Sequence, residues 1–408
     1  MGHNFYKWIR IRYERTVNSI AFYPVIIALL FLIISVLMVY LDYSAYGKAI
    51  KDKLSWLGLR DPSTARSIIS AIAAGIISLT VFSFSMVMIV LNQAASQMSN
   101  RVLDNLIGNR FQQIVLGVYI GTIVYSLFLL STIRDIDSGL YIPALSIYVL
   151  IGLTIGDIFL FIYFLHYITN SVRYETIIQR IYRMTVNSME KTCRLDTPPT
   201  SQTFLTNGVE ILAPECGIFQ GADKNALLEF CKEKDLVIQF SFSIGNFLVK
   251  GYPYALVSRP VDEEITEQLH SRVNIHGGQS IELSYYYGLG QLTEVALRAL
   301  SPGINDPGTA LESLRSIAKI LVYRLNHYPD NTIRDEDGVV RIITQEKDVE
   351  ELFCDSLLPI WDYGRNDRII RNELLHILKQ LKSYGDFPAM NKLLHQVEKQ
   401  RAIAENGG

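Results

Sequence analysis

Long uncharged stretches dominate the first 170 residues and vanish afterwards. No charge occurs from 16 to 41, and AFYPVIIALLFLIISVLMVYL inside that stretch is apolar enough to cross a bilayer core. The stretch 67–100 holds thirty-four residues without a charge. As one helix it would run to roughly 50 Å, beyond a hydrocarbon core of about 30 Å. Its end, NQAASQMSN, is polar though uncharged, so the helix is expected to leave the lipid there. Further apolar runs occupy 111–133 and 140–168. The pattern predicts a transmembrane domain over 1–170, with spans at about 17–41, 66–92, 112–133 and 140–168.

Past 170 the pattern turns amphipathic. RYETIIQRIYRMTVNSMEKTC predicts a helix prolonging the fourth span, ended by Pro198-Pro199, as a connector over 171–199. GVEILAP, LVIQFSF and NFLVKGYPYALVS have strand character, punctuated by turns at Gly245-Asn246 and Lys250-Gly251. A small β-barrel or sandwich over 200–285 is the expectation. The region 286–408 reads as helical at 289–300, 309–325, 347–360, 367–383 and 388–404, with VVRIIT at 339–344 as a further strand. The expected fold is a membrane all-α bundle of about four helices carrying a cytoplasmic α+β domain.

Composition adds little to this, because 49% hydrophobic residues and a net charge of -2 suit many classes. Four cysteines (Cys193, Cys216, Cys231, Cys354) lie in the polar part without a CxxC pair, as free thiols of a reducing compartment do. The first apolar run is too long for a signal peptide and follows a basic, aromatic lead-in (Lys7, Trp8, Arg10, Arg12, Tyr13, Arg15), so it reads as a retained span. A cytoplasmic N-terminus puts Arg101, Arg110, Arg173, Arg180 and Arg183 on the cytoplasmic side. It also puts Lys48, Lys51, Lys53 and Arg60 outside, against the rule. The lead-in and the large C-terminal domain favour both termini inside.

The second span carries the clearest functional pattern. Ala71, Ser78, Ser85, Asn92 and Ser99 recur every seven residues, with Gly75 and Ser96 one turn from members of the series. Such spacing makes a slowly drifting stripe on one helix face. One reading is a pore lining of Ser78, Ser85, Asn92, Ser96 and Ser99, with copies of the helix around a hydrated path. The other is close helix packing through small residues and hydroxyls. Gly117-xxx-Gly121 and Gly152-xxx-Gly156 are small-xxx-small motifs whose default role is packing. Asp157, within LTIGDIFLFIYF, is an intramembrane acid with no basic residue within a turn. It belongs to an ion or proton path, or is hydrogen-bonded to a neighbouring helix. His166 reads as an interfacial residue.

In the polar part, ALRALSPGINDPGTALESL at 296–314 specifies a helical hairpin, with Pro302-Gly303 stopping one helix and Asp306-Pro307 starting the next. Ser301, Asn305 and Asp306 are candidates for a polar binding turn at that helix start, against a purely structural turn. Signatures of catalysis are missing: no GxxxxGK[ST], GxSxG, HExxH or CxxC, and His270 and His276 lack clustered carboxylates. No enzyme, cofactor or metal is expected. Without a basic stripe interleaved with aromatics, neither is a nucleic-acid partner.

Three segments resemble one bacterial family. LNQAASQMSNRVLDNLIGNRFQQIVLGVYIGTIVYSLFLL, FLHYITNSV at 164–172 and LGQLTEVALRALSPGINDPGTALESL are similar to blocks of the membrane proteins known as domain-of-unknown-function 2254. The family commonly has an Arg-Thr pair and an Asp shortly before the hairpin, where this chain offers Gln279, Ser280 and Ser284. The resemblance implies a bacterial inner-membrane location and supplies no reaction. The leading expectation is a homo-oligomeric ion channel or channel-like permeation protein in the lipid bilayer, lined by the second span and passing inorganic ions. The alternative is a non-conducting sensor or scaffold whose cytoplasmic domain binds a ligand or partner.

Overall fold

A computed structural model describes residues 21–53, 61–97, 110–133, 142–171, 173–199, 205, 208–276 and 280–406. The basic lead-in, Arg60, Ser99, Arg101 and Gln279 lie outside the described residues. The chain divides into two compact units, Met1–Arg173 and Tyr174–Gly408.

The first unit is a helix bundle: α1 (Phe22–Tyr43), the short α2 (Ala45–Lys53), α3 (Pro62–Gln97), α4 (Arg110–Thr132) and α5 (Ala144–Ser171). Within them, Phe22–Tyr43, Pro62–Val90, Arg110–Thr132 and Ala144–Asn170 are long and apolar enough to cross a membrane. The helix α3 has 36 residues, or about 54 Å at 1.5 Å each, so the expectation of an overlong second span holds. It starts at Asp61-Pro62, where the Asp61 carboxylate accepts the amides of Ser63 and Thr64 at 3.2 and 2.9 Å.

The helix α4 is the hub of the bundle. Its Tyr125 and Leu129 pack with Ala65 and Ile69 of α3 and Ile147 and Leu150 of α5. Its Val115 and Tyr119 pack with Ile76, Phe164 and Ile168. On another side α1 approaches closely because Gly117 and Gly121 present no side chain. A Cβ at Gly117 would stand 2.7 Å from Ile27 Cδ1 and 3.1 Å from Pro24 Cα, and one at Gly121 would stand 2.7 Å from the Phe31 ring. This motif therefore packs helices. Gly152 and Gly156 have nothing within 4 Å and face away from the protomer's other helices. Around the outside, Val25, Leu29, Ile33 and Leu37 of α1 are exposed, as a lipid-facing surface requires.

The second unit opens with α6 (Tyr174–Thr192), a helix separate from α5, with Arg173 non-helical between them. Buried Ile177, Ile178, Ile181, Thr185, Ser188 and Met189 make one apolar face at helical spacing. That face is part of the unit's own core, because Thr185 lies against Gly288 of a later helix.

Among the described residues eight strands follow: β1 (Val209–Leu212), β2 (Gly217–Ala222), β3 (Ile238–Phe240), β4 (Phe247–Leu248), β5 (Pro253–Val257), β6 (Val273–His276), β7 (Thr332–Arg334) and β8 (Val340–Ile343). They form one sheet in the order β1-β5-β3-β8-β7 and a second in the order β4-β2-β6. Both sheets contribute to one apolar core, with Phe219, Ile238, Phe240, Val257, Ile275 and Ile342 packed against Leu227, Phe230 and Leu269 of the helices α7 (Lys224–Glu233) and α8 (Glu263–His270). The expected closed barrel does not form among the described residues, and no sandwich of the 200–285 segment alone is seen. The reason is that β8, from a hundred residues downstream, occupies the free edge of β3 in parallel register, Ile238 opposite Ile342. The β7–β8 hairpin then ends the sheet. Gly245 and Gly251 take φ of +98° and +80°, which only turns built on glycine hold without strain.

The remaining helices are α9 (Tyr285–Ala299), α10 (Pro307–Asn326), α11 (Val349–Gly364), α12 (Arg368–Leu381) and α13 (Pro388–Asn406). Each of the five expected helices exists, a few residues longer or shorter. Asp223, Asp262, Asp306, Asp348 and Asp367 each cap a helix N-terminus by accepting first-turn amides. At Asp348 the cap is a full capping box with Glu351.

Candidate functional site

The bundle-facing side of α3 carries Ala65, Ile69, Ala73, Ile76 and Ser83, all buried. Opposite them, Ala71, Gly75, Ser78, Ser85 and Asn92 are exposed on the outside of the protomer. The polar stripe is thus not used to pack the protomer's own helices. Phe82 and Ile89 are also exposed and fall between Ser78, Ser85 and Asn92 along the same side. The Ser78 hydroxyl donates back to the Ala74 carbonyl at 3.0 Å, which lowers its cost in an apolar setting. Ser96 sits within α3, but its side chain lies outside the described residues.

Asp157 is 1% exposed in the middle of α5, and among the described residues its Oδ2 has no hydrogen-bond partner. The Thr122 hydroxyl of α4 adjoins it, and the Tyr119 hydroxyl lies within its electrostatic reach with Ser83 of α3 beyond. Three spans therefore bring four oxygen-bearing side chains together. Their sequence positions share no periodicity, so only Asp157 was visible beforehand. His166 is exposed and accepts from Asn170 Nδ2 at 2.9 Å, one turn on.

A second buried acid escaped the sequence reading. Asp42, 1% exposed at the end of α1, accepts the amides of Leu145 and Ser146 at 3.1 and 2.8 Å and the Ser146 hydroxyl at 2.5 Å. It sits at the N-terminus of α5, where unpaired amides and the helix dipole favour an anion. Its place at the edge of an apolar run was the available signal.

In the second unit the SPGINDP turn is tightly bonded within itself. The Asp306 carboxylate accepts from the Thr309 amide and hydroxyl at 3.1 and 2.6 Å, and the Asp306 amide donates to the Ala299 carbonyl at 2.8 Å. The Ser301 hydroxyl donates to the Arg298 carbonyl at 2.6 Å. Asn305 takes φ +50°, a left-handed position that asparagine tolerates. These contacts build the hairpin, and exposed Asn305 is left as the turn's outward group.

A cavity of about 510 Å³ opens in the second unit beside β2, β3 and β8. Its walls carry Lys191, Arg194 and Lys224 together with Glu282, Asp330 and Glu346. Desolvation raises the Glu346 carboxyl above the ordinary glutamate range, while the Tyr286 hydroxyl donates to it and pulls the other way. Tyr286 Oη in turn accepts the Lys347 amide at 2.9 Å. Beside them burial pushes the Cys193 thiol up to about 11 and holds the Tyr285 phenol far above its usual range. Just before α9, the Ser284 hydroxyl is buried and has no partner among the described residues. Ser280 Oγ accepts the Glu282 amide at 3.2 Å.

The four span-length helices, the hairpin and the downstream unit as far as residue 380 fall inside one family match. A family model described as "Predicted membrane protein (DUF2254)" matches residues 17–380. The chain belongs to this family. Similar proteins include uncharacterised proteins of Mycobacterium tuberculosis (strains CDC 1551 and H37Rv) and Mycobacterium bovis. Each is 25% identical over 345 residues, covering 80% of this chain and 65% of the relative. The chain thus spans just under two thirds of the length of those relatives. No solved structure matches.

Proposed function

We propose that this DUF2254 protein assembles as a homo-oligomer in a bacterial inner membrane, both termini cytoplasmic, and forms an ion-permeation path lined by α3. One observation carries the reading: the stripe of Ser78, Ser85 and Asn92 is exposed on the protomer, opposite the helix face that packs in the bundle. Polar side chains aimed at lipid are costly, so such a face belongs against a copy of itself or against water. Exposed Ile89 between Ser85 and Asn92 gives an apolar ring between polar ones, the arrangement by which pores gate through dewetting. The role is non-enzymatic.

The test is ion flux through the full-length protein in liposomes. Ser85→Leu and Asn92→Leu reduce flux, and Ile89→Ala raises it. A folded oligomer that passes no ion at any pH or voltage removes the reading.

A second reading, a sensor or scaffold, is favoured by the 510 Å³ cavity with its mixed charges in the second unit. Its mark is thermal stabilisation of the full chain by a small zwitterionic or anionic compound, lost in Lys224→Ala.

A further inference from the structure

The two buried acids of the bundle differ in one respect. Asp42 receives at least three hydrogen bonds, whereas Asp157 Oδ2 receives none from the described residues. The shortage extends to its neighbours. Among the described residues Ser83 Oγ, Tyr119 Oη and Thr122 Oγ1 are also buried without a well-formed hydrogen bond, on residues 4%, 0% and 0% exposed. This is unlike other hydroxyls of the same helices. Thr80, Ser126 and Thr154 donate back to their own helix at 2.7 to 2.8 Å, as hydroxyls in membrane helices usually do. Ser83 and Thr122 forgo that bond: Thr122 adjoins the acid, and Ser83 adjoins the Tyr119 hydroxyl beside it.

Among the described residues no ion pair meets the charge of Asp157 either. No Lys or Arg occurs in 22–41, 67–97, 111–133 or 142–171. An uncompensated carboxylate in that setting is among the costliest groups a bundle holds. The spans themselves therefore supply no compensating cation.

We infer that Asp157, Thr122, Tyr119 and Ser83 form a site for one dehydrated alkali cation, of the sodium class, inside each protomer. Four oxygen atoms from three helices are hard ligands, suited to such an ion and not to a soft metal. A single formal charge on the ligands matches a monovalent ion; a divalent one would leave a net positive charge in the apolar core. A proton on Asp157 also cancels the charge, but it adds a fourth donor to a cluster that already holds three hydroxyl donors and removes acceptor capacity from the carboxylate. A cation satisfies all four at once. The site is closed off within the protomer, on the bundle-facing side of α3, and does not depend on whether the outer stripe conducts.

The test is thermal melting of the full-length protein in detergent, in sodium chloride against N-methylglucamine chloride at equal ionic strength. Sodium raises the melting temperature saturably. Asp157→Asn abolishes the rise, Thr122→Val and Tyr119→Phe shift half-saturation to higher sodium, and Ser78→Ala on the outer stripe leaves it unchanged. If Asp157→Asn does not fold, the two milder variants carry the test. Identical melting in the two salts overturns the site. So does stabilisation by acid without any cation dependence, or a sodium response that Thr122→Val and Tyr119→Phe leave intact. A protein that passes no ions but melts in this sodium-dependent way removes the permeation reading and keeps this site.

Discussion

The Asp42 carboxylate, on the last turn of the first span, accepts the Ser146 amide at 2.8 Å on the first turn of the fourth. An acid from one span thereby caps the helix start of another and fixes their ends together. Removing it leaves the Leu145 and Ser146 amides unpaired in a buried place. Asp42→Ala is expected to cost about 3 kcal/mol, from lost charge-assisted bonds and a lost cap. Asp42→Asn keeps one acceptor oxygen and costs about 1 kcal/mol. Denaturant or thermal unfolding in detergent reads both, and equal stability of Asp42→Ala and wild type sinks the account.

Packing in the second unit hinges on a glycine. A Cβ at Gly288 of α9 would lie 1.9 Å from Thr185 Oγ1 and 2.9 Å from Thr185 Cβ on α6. Gly288→Ala is expected to destabilise by about 2 kcal/mol or more through overpacking. Because the clash is with one side chain, Thr185→Ala in the same chain recovers part of that loss. A double-mutant cycle measures it as a coupling energy, and strict additivity of the two changes contradicts the contact.

Glu346 supplies a pH dependence of defined sign. Its folded-state pKa is raised above the ordinary 4.5 by desolvation, so the folded chain binds a proton that the unfolded chain has released. Stability from this group is therefore full below pH 4.5 and declines as pH rises from there through the raised value. Glu346→Gln abolishes that segment of the profile and gains on the wild type as pH increases. Melting curves collected across the acid-to-neutral range test this, and parallel profiles for the two proteins refute it.

What the chain's pattern revealed follows from the range of the interactions involved. Spans, the Gly117–Gly121 contact and the SPGINDP hairpin are local, and each is visible as a run, a spacing or a cap. The strand β2 was missed because GIFQGA is buried on both faces and shows no alternation. The helices α7 and α8 were missed because 10 and 8 residues give too few turns to show a period. The pairing of β3 with β8 and the meeting of Asp157 with Thr122, Tyr119 and Ser83 are non-local. They join positions whose separation obeys no period, so they emerge only once the chain is folded.

The parallel pair β3–β8 sets an order of events during synthesis. When Phe240 leaves the ribosome, β3 has β5 to come on one side and an open edge on the other. That edge is filled by Ile342 and Ile343, about a hundred residues later. At synthesis rates of about 5–20 residues per second the nascent sheet waits several seconds with an unpaired strand. An open edge of that kind recruits foreign strands. The burden of protecting it falls on whatever attends the emerging chain, and truncations ending before residue 340 are expected to leave a sheet that aggregates.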